Sequence, residues 1–485
     1  MKVFSKEFLN RTGTDSVLLS WVFLRGLALI YFAAFASMAV QVEGLVGSYG
    51  ILPAIDKLTL IEHFYQQQKF WQMPTIFWIN ASDTMLNWVC YLGMAVACLL
   101  LLDIFTRSSL IVAYVLYLSI VEVGQDFTHF QWDVFLLEIG FLAIFLTWGS
   151  GFVILLFRWL LARFMFMGGV VKIASGDTSW ANLTALNFHY ETQPLPTPLA
   201  YYAFHLPEWF HKLCVGGVFF IELVVPFFVF FPRRLRLFAC CAFIMLQGII
   251  ILTGNYTFFN LLVILLCLFL LEDQDIAKIL PQRLILAVQK KATIPGDIAN
   301  ACAGLWASLV ILVCATHIWL FHAHMPLTSP LKSLLRTTSK FSVVNNYGPF
   351  AVMTTKRNEI IVQGSNDAQH WTDYEFKYKP GDLKRASGWN IPHQPRLDWQ
   401  MWFAALSPPR KDSWFEKFLN KLLDGSPQVL SLLANNPFPD KPPLYIRALQ
   451  YHYSYTSLKQ RNITQQLWQR QYEGIFWPAY RLSLK

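Results

Sequence analysis

The chain has 485 residues, of which 55% are hydrophobic, 14% charged and 16% aromatic. Soluble domains carry roughly 25% charged residues, so a single soluble fold, disorder, collagen, a coiled coil and a small disulfide-stapled domain are all excluded. The net charge of +9 divides unevenly: residues 1–322 hold 18 Lys and Arg against 19 Asp and Glu, and residues 323–485 hold 21 against 11.

A bilayer-crossing helix needs about 20 mostly apolar residues. Nine segments approach this, at 17–40, 85–103, 108–122, 131–149, 152–172, 213–231, 237–253, 257–271 and 299–322. The expected fold class is therefore an α-helical polytopic membrane bundle over 1–322, followed by a basic extracytoplasmic β-rich domain over 323–485. The first segment is too long and poorly flanked for a cleaved signal peptide. Cations in the short loops set the orientation. With Lys2, Lys6 and Arg11 in the cytosol, nine spans put Arg107, Arg233, Arg234, Arg236 and the 278–291 cations there too. The second domain then emerges on the periplasmic or lumenal side. Lipid is one implied partner, and a basic surface there suits anionic headgroups or an acidic protein. Nucleic acid is not implied, because no basic run interleaved with aromatics is present.

Ionisable groups inside spans are expensive and usually face a protein interior or a cavity. Glu122, Asp126 and His129 are spaced for one helical face, with Asp133 and Glu138 just beyond. Such a group suits a proton relay, a metal site or a substrate pocket, or else caps helices and pairs with arginines. Arg158 and Arg163 are the expected ion-pair partners of Asp133 and Glu138. Lys172 closes the fifth segment, where a lysine commonly snorkels or pairs; turned inward against apolar walls, it can act as a base. Arg25, Glu222, Gln247, Asn255 and Asn260 read as interhelical hydrogen-bonding residues.

The loop 173–212, rich in Pro and aromatics, is long enough to be ordered and functional. Its His189 and Glu191, with His205 and His211, match no metal-ligand spacing, so neither a metal nor another cofactor is implied. The eight cysteines all lie in or beside apolar stretches and form no CxxC pair, as small buried hydrophobes do. No internal repeat or pair of interrupted helices points to a transporter.

After residue 322 the pattern changes. Phe341–Thr355, Glu359–Gln363 and Trp371–Tyr378 alternate as strands do, with a turn at 364–367. They predict an antiparallel β-sandwich with helical additions. Residues 413–434 have helical spacing, and 444–455 alternate again with a tyrosine-rich face.

Long strings in both parts resemble the lipase maturation factor family: Phe130–Phe141 (FQWDVFLLEIGF), Gly169–Trp180 (GVVKIASGDTSW), Asn182–Trp209, Leu252–Asn260 (LTGNYTFFN), Asn346–Met353 and His393–Leu406 (HQPRLDWQMWFAAL). The resemblance implies a chaperone-like, multi-pass membrane protein that assists folding or assembly of exported clients such as secreted lipases. It also implies a loop and partner surface carrying Asp177, Trp180, His189, Glu191, His393, Arg396, Asp398 and Trp399. Either a bacterial inner membrane or an endoplasmic reticulum membrane suits such a chain. The stretch from Lys172 through Gly176, Asp177 and Trp180 more distantly resembles the vitamin K-dependent carboxylase-like membrane superfamily. That likeness implies an alternative: an enzyme acting on a lipid or quinone-like substrate with Lys172 as base and Asp126, His129 and Asp133 as pocket partners.

Overall fold

A computed structural model describes residues 16–291, 297–323 and 328–482. Its principal helices begin with α1 (Val17–Ala39), α2 (Asp83–Leu101), α3 (Thr106–Val123) and α4 (Gln131–Leu146). They continue with α5 (Gly151–Ala174), α6 (Glu208–Phe228), α7 (Arg233–Thr253), α8 (Phe259–Leu270) and α9 (Asp297–Ala323). Local chemistry sets several ends. The Ser82 hydroxyl accepts from the Met85 N–H to open α2, and Pro207 and Pro232 stand just before α6 and α7.

The nine predicted segments are all helical, but six helices among the described residues are long and apolar enough to cross a membrane: α1, α2, α3, α5, α6 and α7. Six of the nine expected spans meet that measure. Helix α4 has 16 residues, and α8 and the apolar stretch Asn300–Cys314 of α9 are shorter still. Leu92 and Leu99 on α2, Phe227 on α6, and Ile244 and Met245 on α7 are exposed, the outward apolar surface expected of a helix facing lipid.

Loops gather at two ends. At one, Asp103 pairs with Arg25 at 2.5 Å and Lys291 at 3.0 Å, and Arg233 meets Asp275 at 2.6 Å. Arg107 lies 5.1 Å from the Trp148 ring there. Those cation-rich loops share an end, as the sequence predicts; Lys2, Lys6 and Arg11 lie outside the described residues. At the other end sit the 40–82, 124–130, 175–207 and 254–258 segments, together with the C-terminal part.

That C-terminal part holds one four-stranded antiparallel sheet, in the order β2-β1-β3-β4, where β1 is Arg357–Ser365, β2 Thr372–Asp373, β3 Tyr445–Tyr455 and β4 Trp468–Tyr480. A single sheet replaces the expected sandwich. Helix α11 (Trp414–Leu423) covers one face, its Phe415 packing edge-on against Phe476 of β4 at a ring separation of 5.3 Å. Gly425, at φ +66°, ends that helical stretch early. Helix α10 (Arg396–Ala404) lies between β1 and the bundle. Phe341–Thr355 forms no strand. Several of its apolar residues are buried, but by helices and loops of the bundle: Tyr347 packs on Phe135 and Phe164, at ring separations of 5.0 and 5.4 Å, and Met353 against Trp180. Alternation reports burial on one side, and here helices supply that burial.

Candidate functional site

Helices α5 and α6 approach closely at Gly168 and Gly169. A Cβ on Gly169 would stand 2.7 Å from Leu223, so a larger residue would force the helices apart. Opposite, residues Phe220–Val224 form a π-helical turn inside α6, a local widening often found at functional sites. It carries Glu222. The Lys172 Nζ donates to the two Glu222 carboxylate oxygens at 2.8 and 3.0 Å and to the Gly168 carbonyl at 3.0 Å. Its three N–H bonds thus all have acceptors. The side chain is 5% exposed and lies 5.3 Å from the Trp180 ring.

This pair lies on the wall of a cavity of about 480 Å³, a size typical of small-molecule sites. Phe164, Leu246, Phe259, Trp399, Trp402 and Phe350 make much of the wall apolar. His129, Trp180 and His189 also line it. Burial, reinforced by the nearby Lys172 charge, pushes the His189 imidazole down to about 4, which keeps it neutral at physiological pH. Burial likewise lowers His129, against the opposing pull of Asp133.

Asp133 is not the partner of Arg158. Its carboxylate receives both Arg396 terminal nitrogens, at 2.7 and 2.9 Å, and the Tyr117 hydroxyl at 2.6 Å. Arg158 instead donates to the Phe269 carbonyl at 2.7 Å, because the far end of α8 is what faces it. Arg163 does pair with Glu138, which also accepts from the Tyr347 hydroxyl at 2.7 Å and the Asn345 N–H at 2.9 Å. For Arg396, burial works to lower its pKa, and Asp133 reverses this and holds it above the usual arginine range.

Most of the remaining predicted residues fasten the C-terminal part to the bundle and its loops, while Asp398 bonds within the C-terminal part. Asp177 caps the Thr178–Ala181 helix and accepts from the Ser179 and Met353 N–H groups at 2.8 and 2.5 Å. Burial acts to raise its carboxyl, and these hydrogen bonds overcome it and hold it low. Glu191 accepts from the Tyr455 N–H at 2.5 Å, burial raising its pKa. Trp180 donates to the Phe350 carbonyl at 3.0 Å. His393 meets the Ser37 hydroxyl at 2.9 Å and is pushed down to about 4, by burial first and then by Arg396 and Lys377. Asp398 accepts from the Tyr378 and Lys379 N–H groups, both at 2.8 Å, and is raised by burial. Trp399 packs edge-on against Trp132 at 4.7 Å.

Lys172, His129, Trp180, His189 and Trp399 therefore converge on one cavity, whereas Asp133, Glu138, Arg163 and Arg396 lock elements together. Asp126 lies outside the cavity, in an adjoining groove. His211 meets Asn187 and the Ala203 carbonyl, both at 2.9 Å, and His205 the Tyr201 and Thr456 carbonyls. Among the described residues, no three His, Cys, Asp or Glu side chains group as metal ligands. Nothing in the sequence marks Arg357, yet it is a central fastening. It donates to the Glu191 and Pro194 carbonyls at 2.8 and 3.0 Å and to Glu359 at 2.6 Å; an arginine opening a strand gives no sign that it is buried.

Fold and cavity together define a polytopic helical membrane protein whose C-terminal sheet domain closes one end of the bundle. Residues 18–278 match the family model described as lipase maturation factor transmembrane domain, and residues 343–478 that of the lipase maturation factor C-terminal domain. The chain is 35% identical to lipase maturation factor 2 of Xenopus laevis, over 95% of this chain and 82% of that protein. It is 34% identical to the human lipase maturation factor 2, with 95% and 82% covered, and 35% identical to lipase maturation factor 1 of Bos taurus, with 96% and 89% covered. The chain belongs to the lipase maturation factor family. No solved structure matches it.

Proposed function

We propose that this chain assists the folding or assembly of exported proteins, secreted lipases among them, with its C-terminal domain as the client-facing part. The observation that carries this reading is the near full-length likeness to relatives named for lipase maturation, which spans both the bundle and the sheet domain. In this reading the bundle makes nine passes, the short helices α4 and α8 and the longer α9 crossing with the other six. The C-terminal domain lies on the periplasmic or lumenal side, opposite the cation-rich loops. The test is deletion of the gene in its own host, followed by assay of exported lipase per unit lipase protein. A drop in specific activity, restored by the wild-type chain and absent for unrelated exported enzymes, supports the proposal. Unchanged lipase activity refutes it.

A second reading, chemistry on a lipid-like substrate, draws on the cavity with Lys172 on its wall. Three acceptors surround Nζ, an arrangement suited to an ammonium that steadies a developing anion; in this reading the neutral His189 imidazole is the better proton acceptor. Replacing Lys172 and Glu222 together by Met and Gln removes both charges while keeping the volume. Lipase maturation at the wild-type level in that variant ends the second reading and leaves the first intact.

A further inference from the structure

Outside the cavity, on the side of the 124–130 turn, lies an open groove of about 690 Å³. Its lining includes Lys57, Glu122, Asp126, Thr128, His129 and Gln400. Elsewhere the acids of the bundle are matched: Asp133 by Arg396, Glu138 by Arg163 and Glu222 by Lys172. In the groove this pattern breaks. Lys57, Glu122, Asp126, His129 and Gln400 make no direct hydrogen bond or salt bridge among the described residues, and Lys57 and Lys340 act on Glu122 only at longer range. Two carboxylates and one ammonium are thus left to solvent or to a ligand.

Groove and cavity share His129, Phe130 and Phe403 as lining, so the wall between them is one side chain thick. Phe130 is stacked between Trp132 and Phe403, with ring separations of 4.8 and 5.7 Å. The turn that carries this wall is strained: Gln125 and His129 both adopt positive φ, +51° and +63°, a cost that persists where surrounding structure enforces it, often at ligand sites. Behind the wall, three buried polar atoms on cavity-lining side chains lack a partner: Trp132 Nε1, Trp399 Nε1 and Asn260 Oδ1. Buried polar groups are almost always satisfied; an apolar chain cannot satisfy these, so they call for the ester carbonyl or glycerol hydroxyl at the junction of a lipid's head and tail.

We infer that groove and cavity form one binding site for a zwitterionic amphiphile, with its apolar tail among the cavity aromatics and its head in the groove. Glu122 and Asp126 receive an ammonium, and Lys57 a phosphate. An amine-bearing phospholipid or its lyso form has this chemistry. The inference concerns this groove and stands apart from the client reading, since neither needs the other.

The test uses the purified full chain in neutral detergent, titrated with a lysophosphatidylethanolamine whose acyl chain is brominated, while tryptophan fluorescence is followed. A lysophosphatidylglycerol with the same brominated chain is the comparison. Saturable quenching, with the amine-bearing lipid bound about tenfold more tightly, is the expected result, as befits one charge-assisted contact set. The Glu122→Gln, Asp126→Asn double variant should lose that preference and change its melting temperature little, because neither carboxylate holds a direct hydrogen bond or salt bridge and only longer-range attraction to Lys57 and Lys340 is lost. Val218→Trp, which places bulk in the cavity, should weaken both lipids together. Quenching that does not saturate, equal affinity of the wild type for both heads, or a preference that survives the double variant would overturn the inference.

Discussion

Asp133 and Arg396 stand 263 positions apart and meet in a two-pronged ion pair, with side chains 0% and 2% exposed. It joins the start of α4 to the start of α10, and so the bundle to the domain that closes it. Arg396 also donates to the Phe127 carbonyl at 2.6 Å, which fixes the turn bearing His129. Removing one member of such a pair strands the other in a dry interior. Arg396→Met should therefore cost about 3–5 kcal/mol, whereas Asp133→Leu with Arg396→Met should recover most of it. Thermal unfolding of the detergent-solubilised variants measures both.

Gly140 on α4 sits directly against the Tyr31 hydroxyl of α1, which is buried and unpartnered. Gly140→Ala should destabilise by about 1–3 kcal/mol through overpacking. Adding Tyr31→Phe removes the oxygen that the new methyl meets and should restore part of the loss. If the second change makes matters worse, the contact is not the cause.

The fastening residues predict an acid-sensitive structure. His189 and His393 both have folded-state pKa values near 4, against an ordinary 6.5. The unfolded chain thus binds more protons between those limits, so their contribution is complete above about pH 6.5 and is lost as pH falls toward 4. The buried Glu191 and Asp398 carboxyls are raised and act in the opposite sense, so the difference between proteins is the informative quantity. His393→Phe should flatten the fall of melting temperature between pH 7 and 4.5 relative to wild type. An unchanged slope would mean His393 titrates normally.

At the α5–α6 contact, Gly169→Leu should separate the helices, since even a Cβ there lies 2.7 Å from Leu223 and 3.0 Å from the Glu222 Cβ. Loss of the Lys172–Glu222 contact should follow. It can be read as faster reaction of Lys172 with an amine-directed reagent, located by mass spectrometry. Gly216, with nothing near its Cβ position, should accept Ala without that change.

The cavity is partly legible in the amino-acid sequence. Lys172, His129, His189 and Trp180 stand out there as polar or aromatic residues in costly or unusual places, and they do meet. Glu222 reads only as an interhelical bonding residue, because a π-helical turn that re-aims one side chain leaves no mark in residue spacing. The strand expected over 341–355 fails for a similar reason: alternation shows that one side is buried and not what buries it.

Composition and apolar runs by themselves determined a membrane bundle, a basic C-terminal third and which loops share an end, since lipid and water select residue types segment by segment. Tertiary structure alone decided that Arg396 rather than Arg158 answers Asp133, that one sheet serves in place of two, and that the cavity lies behind a wall one side chain thick. Those outcomes depend on distances between residues hundreds of positions apart. No local pattern encodes such distances, and only the packing of the whole chain sets them.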